Sequence, residues 1–276
     1  MLELVEARVL AEQVNETIRG KRINNVITEQ SPHKFAFFHG DPHKYNELLK
    51  GKTIGKATAY GGQLEIRADD VILLFGDGVS LQYHDKNVKR PLKHQLLLEF
   101  EDETALSGSV QMYGGIWCFR DGEFDNPYYL IAKEKPSPLS EAFDKFYYKG
   151  ILSVSGMEKL SAKAFLATEQ RIPGIGNGVL QDILYNARIH PKRKMKTLSE
   201  EENEILFASI KTTLIEMIDK GGRDTERDLF GKNGGYNTKL SKKTVGLPCP
   251  ICGNTIVKEA YLGGSIYYCS GCQVIE

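Results

Sequence analysis

Apolar residues at Leu4, Ala7, Ala11, Val14 and Ile18 recur at helical spacing. They predict an amphipathic helix over residues 3–19, with Gly20 as its stop. The pattern then changes to short strand-like runs, Gln63–Arg67, Val71–Phe75, His94–Phe100 and Thr104–Phe119. Turn clusters separate them: Ala68-Asp69-Asp70, Gly76-Asp77-Gly78 and Glu101-Asp102-Glu103. This spacing over residues 21–120 predicts a β-sandwich or barrel. Residues 121–138 contain Asn126-Pro127 and Pro136-Ser137-Pro138 and read as a linker. From about residue 139 the period becomes helical. Ser199-Glu200-Glu201-Glu202 is a capping box. Behind it Ile205, Leu206, Ile210, Leu214, Met217 and Ile218 form a long apolar face ended by Gly221-Gly222. A further helix is expected over 178–187, with Val179, Ile183 and Ala187 inward. Residues 223–248 read as a polar loop region. The reading is therefore α+β and multidomain, with boundaries 1–125, 126–138 (linker), 139–222 and 223–276.

Chemistry enters at the C-terminal end. Cys249, Cys252, Cys269 and Cys272 form C-x2-C-x16-C-x2-C. Each C-x2-C turn aims two thiolates at one point, and two such turns supply four sulfurs for one structural Zn2+. A disulfide framework is the weaker alternative in a reducing compartment, and a thioredoxin-like pair lacks its βαβ context. Cys118, within Ile116-Trp117-Cys118-Phe119, reads as a small buried hydrophobe. The 276 residues carry 36 Lys+Arg and 36 Asp+Glu, so the whole chain is no polycation. Charge is nevertheless uneven: residues 159–196 hold eight bases against two acids, and residues 223–258 seven against three. A polyanion-binding C-terminal half and an ordinary solvated surface both fit. No apolar run reaches the ~18 residues that span a bilayer, and the first residues lack a signal peptide's basic start. A cytoplasmic protein, not engaged with membrane, is expected.

The stretch Gln170-Arg171-Ile172-Pro173-Gly174-Ile175-Gly176-Asn177-Gly178 reads as a tight glycine turn opening a helix, with Asn177 as its N-cap. Backbone N–H groups at such a start bind phosphate. With Lys163 nearby and Lys192-Arg193-Lys194 after the helix, a DNA backbone is one ligand. An ordinary capped turn is the plain alternative.

Met1-Leu2-Glu3-Leu4-Val5-Glu6, then Gln170…Pro173-Gly174-Ile175-Gly176-Asn177, then Asn186-Ala187-Arg188-Ile189-His190-Pro191, and the four-cysteine element together resemble the formamidopyrimidine-DNA glycosylase / endonuclease VIII family, in order and spacing along nearly the whole chain. The resemblance implies an N-terminal β-sandwich flanked by helices. It also implies a C-terminal helix–two-turns–helix domain with a β-hairpin zinc finger. Double-stranded DNA, damaged or abasic, would lie in the cleft between them with the damaged nucleotide flipped out. A monomer, nucleoid-associated through DNA, is expected. In the family a second-residue proline attacks C1′, the following glutamate works as acid and base at the sugar, and the resulting Schiff base permits β-elimination.

The sequence departs from that pattern at reactive positions. Position 2 is Leu, so the terminal amine belongs to Met1, one residue further out. Glu3 and Glu6 match the family, although first-turn acids also complement a helix dipole. The family's catalytic lysine aligns at Tyr60 or Gly61. Its intercalating run aligns with Gln111-Met112-Tyr113-Gly114, where Tyr113 is the wedge and Gln111 replaces an arginine. The zinc-hairpin arginine aligns at Gly264 or Ser265. Lys34 reads as a surface lysine, and His33, His39 and His43 as loop polarity rather than a metal set. The catalytic set is thus Met1, Leu2, Glu3 and Glu6, and the DNA-binding set Lys163, Gln170, Gly176, Asn177, Gln111, Tyr113, Gly264 and Ser265. Three functions remain in play: a base-excision DNA glycosylase with abasic-site lyase activity, an altered or inactive member that binds damaged or abasic DNA, and a zinc-ribbon protein binding RNA or protein. The first is preferred.

Overall fold

The computed structural model describes residues 2–275. Helix α1 (Leu4–Thr17) is followed by β1 (Ile23–Thr28), β2 (Ala36–Phe38), α2 (Tyr45–Leu49), β3 (Ile54–Tyr60), β4 (Gln63–Ala68), β5 (Val71–His84), β6 (Leu96–Phe100) and β7 (Ala105–Arg120). Then come α3 (Pro127–Glu134), α4 (Lys145–Leu152), α5 (Ala162–Ala167), α6 (Val179–Asn186), α7 (Glu200–Asp219), β8 (Ile256–Tyr261) and β9 (Gly264–Cys269). No helix among the described residues is long and apolar enough to cross a membrane.

The N-terminal lobe is one seven-stranded sheet of order β1-β6-β7-β5-β4-β3, with β2 pairing parallel to β7. β5 and β7 are long enough to serve both halves. The first part of β5 pairs with β4, and the first part of β7 pairs with β6. Their mutual register breaks at a bulge between Asp77 and Val79. A bulge adds a residue to one strand and bends it. Both halves therefore enclose one core that includes Val26, Leu64, Leu73, Phe75, Leu96, Leu98 and Ile116. Gly76-Asp77-Gly78, expected as a turn between strands, instead lies inside β5. Pairing with β7 over its whole length holds the strand extended where local chemistry favours turning.

α1 belongs to two cores. Leu4 and Val5 pack with α5–α7, whereas Leu10, Ala11 and Val14 pack under the sheet. The first turn of the chain is thereby fixed at the junction of the lobes. The C-terminal lobe packs Phe165, Val179, Ile183, Leu206, Ile210 and Leu214 into its own core. The Ser199–Glu202 capping box forms as the sequence predicts. Two expectations differ. Residues 121–138 are not plain linker, because Asn126 caps α3 and Pro127 occupies its first turn. Although Leu240 packs with Cys249 and Cys269, residues 223–229 do not stand with the cysteine element. They strap back onto α1, with Leu229 N–H donating to Gln13 Oε1 at 2.9 Å and Leu229 O accepting from Tyr83 N–H at 2.8 Å. Cys118 is buried as expected, and burial pushes its thiol up to about 12.

Candidate active site and nucleic-acid interface

The chain's first turn is held by backbone before any side chain acts. Leu2 N–H donates to Asp77 O and Leu4 N–H to Gly174 O, both at 2.9 Å. The second bond satisfies one of α1's orphan donors and ties it to the glycine turn. Leu2 is 4% exposed and packs in the sheet core, so it presents no reactive atom. Met1, named above as the owner of the terminal amine, lies outside the described residues.

Glu3 crosses between lobes. Its Oε1 accepts from Gly178 N–H and its Oε2 from Val179 N–H, both at 2.8 Å. The residue before α6 is Gly178, and the carboxylate of Glu3 serves that helix start. Asn177 is therefore not the N-cap that local sequence suggests. Its Nδ2 instead donates to Ser265 O at 2.9 Å. A charged acceptor brought from another element satisfies two of the orphan N–H groups at this helix start. Arg223 lies beneath. Its Nε and Nη2 clasp Glu6 at 2.8 and 2.7 Å, and Nη2 stands 3.6 Å from Glu3 Oε2. All three side chains are buried. Burial raises the Glu3 carboxyl above its ordinary range; Arg223 opposes this and the charge of Glu6 adds to it. Burial opposes the charge of Arg223, but Glu3 and Glu6 hold it cationic. No sequence signal marked Arg223, which follows a helix-ending glycine pair in a polar stretch.

The turn meets β3–β4 at van der Waals limits. A Cβ on Gly174 would stand 2.4 Å from the Gly61 carbonyl carbon, and one on Gly61 2.9 Å from Pro173 Cβ. Gly61 therefore has no room for a lysine. Tyr60, the other position aligned with the family's lysine, lines the cleft from this hairpin together with Gln63, whose Oε1 is buried with no hydrogen-bond partner among the described residues.

A cleft of about 590 Å³ runs between the lobes. Leu2, Glu3, Gln63, Asp77, Tyr113, Lys163, Gln170, Gly176, Asn177 and Gly264 line it. A second cavity, of about 640 Å³, lies on the other side of Leu2 and is lined by Glu6, Gly78, Val79, Gln111, Tyr113, Thr225 and Arg227 among others. The predicted residues thus converge, apart from Met1, and Ser265 joins through its carbonyl. Met112 and Tyr113 project openly from β7. The charge of Asp77, then burial and Glu3, raise the Tyr113 hydroxyl. Lys163 Nζ donates to Tyr261 O at 2.6 Å, and burial lowers its pKa. Lys34 lies over the Phe35 ring, away from the cleft lining. The three histidines diverge: His33 accepts from Phe35 N–H, His39 packs on Phe119 and Phe124, and His43 lies 3.6 Å from Glu29.

The four cysteines form a compact group, with all Sγ atoms within 4.8 Å of one another. Cys249–Cys272 and Cys252–Cys269 stand at 3.7 and 3.3 Å. Four thiolates about ~2.3 Å from one tetrahedral metal ion lie at comparable mutual distances, so the donor set is compatible with a metal site. Tyr185 of α6 contacts Cys249 Sγ at 3.1 Å through its hydroxyl. Burial opposes ionisation of Cys249, but this hydroxyl and nearby backbone N–H groups bring its thiol down to about 6.

Residues 135–228 match the family model for the formamidopyrimidine-DNA glycosylase H2TH domain. A formamidopyrimidine-DNA glycosylase from Legionella pneumophila strain Paris is 31% identical over 243 residues, covering 85% of this chain and 86% of the relative. The chain belongs to the formamidopyrimidine-DNA glycosylase family. Another, from Legionella pneumophila strain Philadelphia 1, is 29% identical across 100% of this chain and 99% of its own. The fold agrees with the crystal structure of the MutM (Fpg) protein from Thermus thermophilus, with TM-score 0.81, 23% identity and 99% of each chain covered. It agrees equally with Lactococcus lactis Fpg in complex with an abasic site containing DNA, at TM-score 0.83, 23% identity and 99% of each chain. Within this chain the glycine turn, α6, hairpin β8–β9 and the first turn of α1 form one hydrogen-bonded assembly.

Proposed function

We propose that this protein is a base-excision DNA glycosylase with abasic-site lyase activity, acting on damaged bases flipped from duplex DNA. The observation that carries the reading is that Leu2 and Leu4 are pinned by backbone hydrogen bonds beside the interlobe cleft, next to the carboxyls of Glu3 and Glu6. In this reading the terminal amine of Met1 attacks C1′ and forms an imine. Glu3, whose carboxyl burial raises above its ordinary range, assists opening of the sugar ring. Glu6 anchors Arg223.

Duplex DNA would lie along the cleft. Lys163, Gln170, Gly176 and Asn177 face its backbone from one lobe, with Gly264 and Ser265 of the hairpin beside them. Gln111 and Tyr113 enter from the other lobe, where Tyr113 fills the space a flipped nucleotide leaves. The cavity behind Leu2, walled by Ser80, Gln82 and Ser109 among others, is of a size and polarity suited to the extruded base. Cys249, Cys252, Cys269 and Cys272 would hold one structural Zn2+, which closes the hairpin that presents Tyr261 O to Lys163 and Ser265 O to Asn177.

The test is borohydride trapping on duplexes with an abasic or oxidised-base site, together with intact mass of the N-terminus. A covalent adduct that N-terminal acetylation abolishes is the expected result. Salt-dependent binding of abasic DNA with neither adduct nor base release would assign the chain to the non-catalytic reading. Preference for single-stranded RNA over duplex DNA would favour the RNA-binding alternative.

A further inference from the structure

Three carboxylates gather around the chain's first turn, and they differ in what their oxygens already hold. Glu6 is clasped by Arg223 through two hydrogen bonds. Glu3 accepts an α6 N–H on each oxygen. No lysine, arginine or backbone N–H among the described residues occupies the oxygens of Asp77. It is exposed to the interlobe cleft and lines it together with Gln63, Tyr113 and Lys163.

Asp77 is also the residue on which the chain start is hung. Its carbonyl accepts the Leu2 N–H at 2.9 Å. Covalent geometry keeps residue 1 one Cα step, about 3.8 Å, from Leu2. The chain-start amine is therefore tethered within one residue of the hydrogen bond that joins Leu2 to Asp77. The backbone at Asp77 is costly to hold. It has φ +39° at the β5 bulge, a left-handed conformation that glycine adopts far more readily. Neighbouring Gly78 cannot carry a side chain, since its Cβ would stand 2.3 Å from Tyr113 O. Such strain concentrates at functional sites.

We propose that Asp77 is the general base of the reaction, taking the proton from the chain-start amine as that amine attacks C1′. This rests on the covalent reading given above. In the step, the amine lone pair forms the N–C1′ bond, and the C1′–base bond breaks with its pair leaving on the base. The positively charged nitrogen then loses a proton to Asp77, which passes it to the departing base. The nitrogen lone pair next forms C1′=N while the C1′–O4′ bond breaks toward O4′, which takes its proton from Glu3. The two carboxyls thus divide the work, one as acid and one as base. Crowding by protein raises the Asp77 carboxyl, which strengthens it as a proton acceptor.

The experiment compares wild type with Asp77→Asn, Asp77→Glu and Asp77→Gly. Single-turnover borohydride trapping on a duplex carrying an oxidised base is measured beside binding of a duplex carrying a tetrahydrofuran analogue that cannot form an imine. Asp77→Asn is expected to slow adduct formation by about 100-fold or more, the usual range for a lost general base, with analogue binding within threefold of wild type. Asp77→Glu is expected to recover part of the rate. Asp77→Gly suits the left-handed backbone, so it keeps the fold intact and is expected to be as slow as Asp77→Asn. Wild-type trapping with undiminished rates in the Asn and Gly variants would overturn the role of Asp77 alone. A wild-type protein that traps nothing would overturn the covalent reading and this role with it.

Discussion

Arg223→Met tests the physical core of the site. The guanidinium is 3% exposed and sits between Glu6, to which it is doubly bonded, and Glu3 at 3.6 Å. Methionine fills similar volume without charge, leaving two buried carboxylates facing one another. Removing one partner of a buried ion pair costs about 3–5 kcal/mol. For a chain of this size that corresponds to a melting-temperature loss of roughly 6–20 °C. The loss is expected to depend on pH. Without Arg223 the Glu3 carboxyl, already raised by burial and by the charge of Glu6, loses the charge that opposes that rise. A carboxyl so raised favours folding most below the unfolded pKa, near ~4.3, and that contribution is lost as pH rises through the folded pKa. The variant's deficit therefore shrinks between pH 7.5 and pH 5.5. Adding Glu6→Gln to Arg223→Met is expected to recover part of the loss at pH 7.5, because one stranded charge disappears. Differential scanning calorimetry of the three proteins at both pH values is the assay. An Arg223→Met melting point within 2 °C of wild type at pH 7.5, or a deficit that grows on acidification, would refute the account.

Two further outcomes follow from the same geometry. Gly178→Ala places a Cβ 1.7 Å from Arg223 Nη1, so overpacking is expected to cost about 1–3 kcal/mol in thermal denaturation. Combined with Arg223→Met the two losses should be less than additive, and full additivity would show that the clash is not the cause. Stripping metal with a chelator is expected to remove hydrogen-exchange protection from β8 and β9 and to weaken duplex binding, while amides of β5 and β7 stay protected; protection of the hairpin unchanged by the chelator would refute a metal role.

Much of this protein is legible in its sequence because the signals are local. The periodicity of α1, the Ser199–Glu202 capping box and the spacing of the cysteines each report on residues within a few turns of one another, and the structure contains α1, α7 and the four-sulfur cluster where those signals lie. Local chemistry also misled where distant partners outweighed it. Gly76-Asp77-Gly78 looks like a turn but is carried through as strand by pairing with β7. Asn177 looks like a helix cap, yet Glu3, distant in sequence, supplies a charged acceptor to both N–H groups. Arg223 and Asp77 carry no motif at all. Their importance arises from which oxygens are already taken and which are left open, and that depends on where two lobes and a returning strap meet. Sequence alone determined the family, the helices α1, α6 and α7, and the likeness of the reactive stretch. Tertiary structure alone decided which carboxylate is a helix cap, which is an ion-pair anchor and which faces the cleft, because burial and hydrogen-bond occupancy are properties of neighbours in space.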